Sequence, residues 1–215
     1  MASKLKGWRE RIERGLAAAP EERNPKAGLL ARVEGPVSSE FSAVLEQPSQ
    51  PAAVLLGLIE RSSGLQLLLT ERARHLPHHP GQISFPGGRI DAVDTDPIDA
   101  ALREADEEVG LDRQQVRILG RLGPQLTGTG FCIHPVVGWV DPGFRARPDP
   151  GEVRSVFEVP LEHLLEPAHR RRGTRERWGT RFLTDEYSYR NYSIWGATAA
   201  ILTRFIEVID GKSVF

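Results

Sequence analysis

The sequence has a single cysteine, Cys132, among 215 residues. No intrachain disulfide is possible, and a lone Cys in an apolar run reads as core ahead of nucleophile. Long hydrophobic runs are also missing. No stretch is apolar enough to span a bilayer, and the charged segment from Met1 to Leu16 has no apolar signal core, so the cytoplasm is the expected location and no membrane partner is expected. Nor is there an excess charge of one sign. Against 28 Lys and Arg stand 29 Asp and Glu, a formal net charge of −1, so no global field draws nucleic acid. Internal repeats and low-complexity tracts are absent too.

What is present is ordinary for a globular chain: 40% hydrophobic and 27% charged residues. This length buries a real core without a disulfide or structural metal. Leu5, Trp8, Ile12 and Leu16 recur at helical spacing and predict an amphipathic N-terminal helix. Pro20 to Pro51 is rich in Pro, Glu and Ser and reads as a connecting arm. Residues 1–51 are therefore taken as a helix and arm, with the arm one candidate for a homodimer contact, and residues 52–215 as the main domain. That domain opens with Ala52 to Glu60, the apolar run of a buried strand. After a Ser62-Ser63-Gly64 turn, Leu65 to Thr70 should pair back as a hairpin. Strands are expected at Val116 to Leu122, Phe131 to Val140 and Ser155 to Val159, with weaker ones near Arg181 to Thr184 and Tyr187 to Tyr189. Trp195 to Ile209 reads as a helix with a wide apolar face. This order of elements is mixed α/β, helices packed on a sheet.

One further helix is well marked. Asp96 or Thr95 can cap it, Pro97 suits its first position, Asp99 adds favourable charge there, and Gly110 is placed to stop it. At about 100° per residue, Ile98, Ala101, Leu102, Ala105 and Val109 form an apolar stripe. Glu104, Glu107 and Glu108 stand at i, i+3 and i+4 on a neighbouring face, where their charges repel. Either this is a solvated acidic face, or a divalent cation offsets the repulsion, since hard Mg²⁺ or Mn²⁺ prefers carboxylate oxygen and water. The preceding loop contains Gly87-Gly88, which lets backbone approach a ligand closely.

These segments resemble the Nudix hydrolases. Arg103-Glu104-Ala105-Asp106-Glu107-Glu108-Val109-Gly110-Leu111 matches the second half of that family's signature at every fixed position, and Gly88 matches its first glycine. Asp94 stands where the first Glu is expected, with eight residues before Arg103 in place of seven. Upstream, Leu68-Leu69-Thr70-Glu71-Arg72-Ala73, then Gly81 and Phe85-Pro86-Gly87-Gly88, are similar to a motif of the coenzyme A pyrophosphatase branch, except that Pro77 occupies the place of its second Arg. The resemblance covers about Ala52 to Ile209 and implies an α/β/α sandwich with a mixed sheet, the N-terminal helical arm lying outside it.

It also implies roles. Glu104 and Glu108 bind an essential Mg²⁺ or Mn²⁺, with Glu107 a further ligand or base and the Gly88 carbonyl an extra ligand. Arg103 orients the glutamates, and Asp94 holds Arg103 or the loop. A Glu on a later loop often serves as base in such enzymes. Glu152 is the candidate here, with an exposed loop acid as the bland alternative. Arg72, Gly87 and Gly88 are candidate substrate contacts. The implied reaction is hydrolysis of a nucleoside diphosphate linkage in a small-molecule nucleotide, first in coenzyme A or an acyl-coenzyme A. The alternatives are ADP-ribose or a dinucleotide, and a nucleotide-sensing module without turnover.

Three side features complete the reading. His169 to Arg181 is strongly basic, either a solvated loop or the edge of a pocket for a polyanion such as the 3′-phosphate of coenzyme A. His75, His78 and His79 lack a convincing third soft ligand for a transition metal. Tyr187, Tyr189, Tyr192 and Trp195 read as packing residues ahead of stacking partners for adenine.

Overall fold

The computed structural model describes residues 2–19 and 24–211, with side chains from Gly7 onward. Its main sheet is built on the expected hairpin, β2 (Gln50–Arg61) and β3 (Gly64–Arg72). Around it lie β4 (Ile83–Ser84), β5 (Gly87–Arg89), β6 (Val116–Arg121), β7 (Gln125–Leu126), β8 (Phe131–Val140) and β9 (Val153–Pro160). The order is β4-β3-β2-β8-β6, with β5 on β2, β7 on β8 and β9 on β3. β2 and β8 run parallel and every other pair is antiparallel, so the sheet is mixed.

The apolar run of β2 is buried on both faces, which is why it shows no alternation. Ala53, Leu55 and Ile59 pack with Ala101, Leu102, Ala105 and Val109 of α4 (Pro97–Val109). Leu56 and Leu58 face the other way, into a cluster with Leu202, Phe205 and Ile209 of α6 (Gly196–Ile209). Helices thus cover both faces of the sheet, the α/β/α sandwich expected above. The helix α1 (Ala2–Ala18) lies against α6, so closely that a Cβ on Gly15 would stand 2.7 Å from the Val208 carbonyl oxygen. Arg11 donates through Nε to the Ile209 carbonyl at 2.9 Å and pairs with Asp210. Trp8, Ile12 and Leu16 pack as their spacing predicts, whereas the Leu5 side chain is outside the described residues.

Two expectations need correction. The arm is not a plain connector. Residues 24–46 form α2 (Pro25–Leu30), β1 (Val33–Glu34) and α3 (Ser39–Glu46), while Pro20 to Arg23 lie outside the described residues. The basic run is not a loop either. It forms β10 (Arg170–Arg177), paired with β11 (Thr180–Tyr189), a single strand where two short ones were expected. β1 pairs with the other side of β11, and β12 (Tyr192–Ile194) joins its end. This makes a second sheet from chain segments at both ends of the sequence. Between the sheets lies α5 (Leu161–Leu165). No helix is long and apolar enough to cross a membrane among the described residues.

Candidate active site

The helix α4 forms where its signals place it. Asp96 Oδ1 accepts from the amides of Ile98 at 2.7 Å and Asp99 at 2.9 Å, and Gly110 takes a left-handed φ of 67° at the other end. Its last turn carries no basic residue but does hold Glu107 and Glu108. Acids at the negative end of a helix dipole cost stability, so the local sequence is arranged for something other than a stable helix.

The glycine loop and the glutamates meet directly. Gly87 has a positive φ of 152°, and a Cβ there would stand 2.3 Å from the Ala53 carbonyl oxygen across the β5–β2 pair. Its amide donates to Glu108 Oε2 at 3.2 Å. A Cβ on Gly88 would stand 2.4 Å from the Glu104 carboxyl carbon. The Ala53 backbone and the positive φ require glycine at Gly87, whereas a side chain at Gly88 would have to displace the Glu104 carboxylate.

Arg103 holds the other side of the cluster. Its Nε donates to Asp94 Oδ1 at 2.9 Å and its Nη2 to Asp94 Oδ2 at 3.0 Å, a two-point grip on a side chain only 2% exposed. The same guanidinium reaches the Arg89 carbonyl, Glu104 Oε1 at 3.0 Å and Glu107 Oε2 at 3.1 Å. Arg103 therefore ties the loop to the helix, and Asp94 anchors Arg103. The turn from Asp91 to Asp94 is closed by the Asp91 amide, which donates to Asp94 Oδ2 at 2.7 Å.

The glutamates differ in surroundings. Glu108 is buried, Glu104 half-buried, and Glu107 is 61% exposed on the outer side of Arg103. Burial pushes the Glu108 carboxyl up to about 8, with Glu104 and Glu152 adding to the rise while the Gly87 amide and Arg72 oppose it. Burial also raises Glu104, against the pull of Arg103. Glu152 acts on both charges. It lies just before β9, on a loop fastened to the end of α4. Arg147 and Asp149 donate their amides to the Val109 and Glu108 carbonyls at 2.8 and 3.0 Å, and Ala73 N donates to the Glu152 carbonyl at 2.8 Å. These clasps bring Glu152 to the end of β3 beside Arg72, whose Nε donates to the His78 carbonyl. Sequence reading missed the clasps because backbone pairing leaves no residue signal.

The donor set suits a hard cation: carboxylate oxygens crowded enough to raise each other's proton affinity, and a glycine backbone where no Cβ intrudes. Among the described residues no three His, Cys, Asp or Glu side chains form a ready-made metal cluster; Arg103 draws Glu104 and Glu107 to itself. The same holds for His75, His78 and His79.

The NUDIX domain model matches residues 48–178, a span that includes the glycine loop, α4 and Glu152. The chain belongs to the Nudix hydrolase family. A Nudix hydrolase of Photorhabdus laumondii designated NudL, itself uncharacterized, is 38% identical over 166 residues, covering 77% of this chain and 88% of the relative. The NudL of Enterobacter sp. (strain 638) is 42% identical over 161 residues, 75% and 83% of the two chains. Among solved structures, the Nudix domain of Shewanella oneidensis NrtR, determined with ADP-ribose, is 18% identical with a TM-score of 0.44, covering 60% of this chain and 87% of that one.

A cavity of about 880 Å³ opens beside the Nudix site. Its walls do not include the glutamates; they do include Val54, which pairs with Gly87, and Gln82, Ser84 and Phe85 of the segment that leads into it. The walls also hold Arg172, Arg175 and Trp195. The aromatic expectations divide accordingly. Tyr187 is buried with its hydroxyl 2.9 Å from Thr203 Oγ1, Tyr192 stacks on Phe157 at 3.9 Å, and Tyr189 meets His163 edge-on. Only Trp195 of that set faces the cavity.

Proposed function

We propose that the protein hydrolyses the diphosphate linkage of coenzyme A or an acyl-coenzyme A, giving adenosine 3′,5′-bisphosphate and 4′-phosphopantetheine or its acyl form. The observation that carries this reading is the seating of Glu108 and Glu104 against the Gly87-Gly88 backbone, with Arg72 and Glu152 near enough to act on the Glu108 charge. Glu104, Glu108 and the Gly88 carbonyl would hold Mg²⁺ or Mn²⁺, and Glu107 would join them on leaving Arg103. When bound, the cation neutralises diphosphate charge and lowers the pKa of a water.

The protein's own groups divide the remaining work. Arg103, fixed by Asp94, sets the direction of Glu104. Arg72 meets phosphate oxygens as a charged donor. Glu152, on an exposed loop held beside the glutamates, accepts the proton of the attacking water. Pro77, at the place of a second Arg, favours a second reading in which ADP-ribose or a dinucleotide is the substrate. A sensing role without turnover is disfavoured by the complete glutamate set.

Coenzyme A, acetyl-coenzyme A, ADP-ribose and NADH, each assayed with Mg²⁺ and with Mn²⁺, separate these readings. The proposal expects the highest kcat/KM on coenzyme A or its thioester, with adenosine 3′,5′-bisphosphate released. A preference for ADP-ribose or NADH overturns the substrate, and no turnover of any member overturns the activity.

A further inference from the structure

A second concentration of charge lies away from the glutamates. Asp185, on β11, has a side chain only 6% exposed. Its Oδ1 accepts from Arg170 Nε at 3.0 Å and Arg172 Nε at 3.3 Å, and its Oδ2 accepts from Arg32 Nη2 at 3.2 Å and Thr203 Oγ1 at 3.3 Å. Burial would raise this carboxyl, but the three arginines outweigh burial and hold it low. Three guanidinium groups around one carboxylate leave a local positive excess.

The arginines come from distant parts of the chain. Arg170 and Arg172 belong to β10, while Arg32 follows α2 in the arm. Arg32 is fixed at both ends: its carbonyl accepts from Leu183 N at 2.7 Å, and its Nε donates to the Leu183 carbonyl at 3.2 Å. Arg32 and Arg172 both line the 880 Å³ cavity, and so do Arg175, Arg177 and Arg204, against the acids Asp185, Glu186 and Glu207. The wall is net positive. It is also aromatic: Arg175 lies 4.7 Å over the Trp195 ring and Arg177 3.9 Å over Trp178. A volume of this size suits a nucleoside, and the cavity is continuous with the segment leading into Gly87-Gly88.

Resting on the diphosphate reading of the glutamate site, we propose that this cavity binds the nucleoside end of the substrate, and that Arg32 and Arg172, spread by Asp185, grip a phosphate carried on its sugar outside the diphosphate. The segment 24–46, upstream of the residues that match the Nudix model, is thereby a substrate-binding element and not a tether. Arg170, the most enclosed of the three at 23% exposure, positions Asp185.

The test is binding of adenosine 3′,5′-bisphosphate and of AMP to the full chain without metal, read by quenching of tryptophan fluorescence. Trp178 and Trp195 in the cavity wall are the reporters. Wild type should bind the bisphosphate at least about tenfold more tightly than AMP, since a charge-assisted phosphate contact is among the stronger hydrogen bonds. Arg32→Gln and Arg172→Gln should each bring the two ligands within about twofold. Arg172 is 62% exposed, so its variant retains the fold if Arg32→Gln does not. Equal binding of both ligands by wild type, or an undiminished preference in Arg172→Gln, overturns the proposal. The two readings fail separately. A wild type that keeps the preference but leaves coenzyme A uncut loses the reaction and keeps the subsite. One that cuts coenzyme A and dephospho-coenzyme A with the same KM loses the subsite and keeps the reaction.

Discussion

The amide of Gly87 donates to Glu108 Oε2 at 3.2 Å, joining the glycine loop to the last turn of α4. This hydrogen bond compensates only part of what it costs to bury Glu108 at the negative end of a helix. The carboxyl is held near 8 in consequence.

A folded-state value above the unfolded one means that the folded protein binds the extra proton between the two. Stability is therefore undiminished below about 4.5 and falls as pH rises towards 8. Glu108→Gln should melt about 5 °C or more above wild type at pH 8 in a chelator, and close to wild type at pH 4.5. Thermal scans at the two pH values check this.

With Glu108 as a ligand, as proposed, cation binding displaces that proton. The apparent affinity for Mg²⁺ should rise about tenfold per pH unit below 8 and level off above it, with close to one proton released per ion at pH 7. Calorimetric titration in two buffers of different ionisation enthalpy measures the release. An affinity flat between pH 6 and 8 would show that Glu108 is not a ligand.

The two glycines should fail differently. At Gly87 a methyl group meets the Ala53 backbone, so Gly87→Ala should cost about 2–4 kcal/mol of stability, as strained or overpacked sites do. At Gly88 it meets only the end of the Glu104 side chain, so Gly88→Ala should melt near wild type while losing about 100-fold or more in kcat. Melting curves beside steady-state kinetics separate the cases.

Asp94 grips Arg103 at two points, and in the proposed site it acts through that arginine. Asp94→Asn should lower kcat about 10–100-fold with a smaller change in KM, the usual scale for a group behind a metal ligand. Asp94→Glu should restore part of it. Equal losses in both variants would mean that the bulk of the loop matters and the carboxylate does not.

Much of this was legible in the sequence because burial and backbone termini leave residue signals. The β2–β3 hairpin shows as two apolar runs around Ser62-Ser63-Gly64, and α4 shows through Asp96-Pro97 and Gly110. The arm was illegible for a physical reason. α2 has six residues and none is buried, so it carries no periodicity and depends on the Asn24 cap and on its contact with β7. β10 was missed similarly, being exposed along nearly its whole length. A strand exposed on both faces cannot be told from a charged loop by alternation. Asp185 gave no warning, since its meaning comes from three arginines that only folding assembles.

Cleavage of coenzyme A by wild type and by Glu108→Gln, side by side under saturating Mg²⁺, is the most direct test. Wild type should release adenosine 3′,5′-bisphosphate, and the folded variant should be slower by about 10³-fold or more, roughly 4 kcal/mol of barrier. Undiminished release by the variant would contradict the assignment of the glutamate helix as the catalytic site.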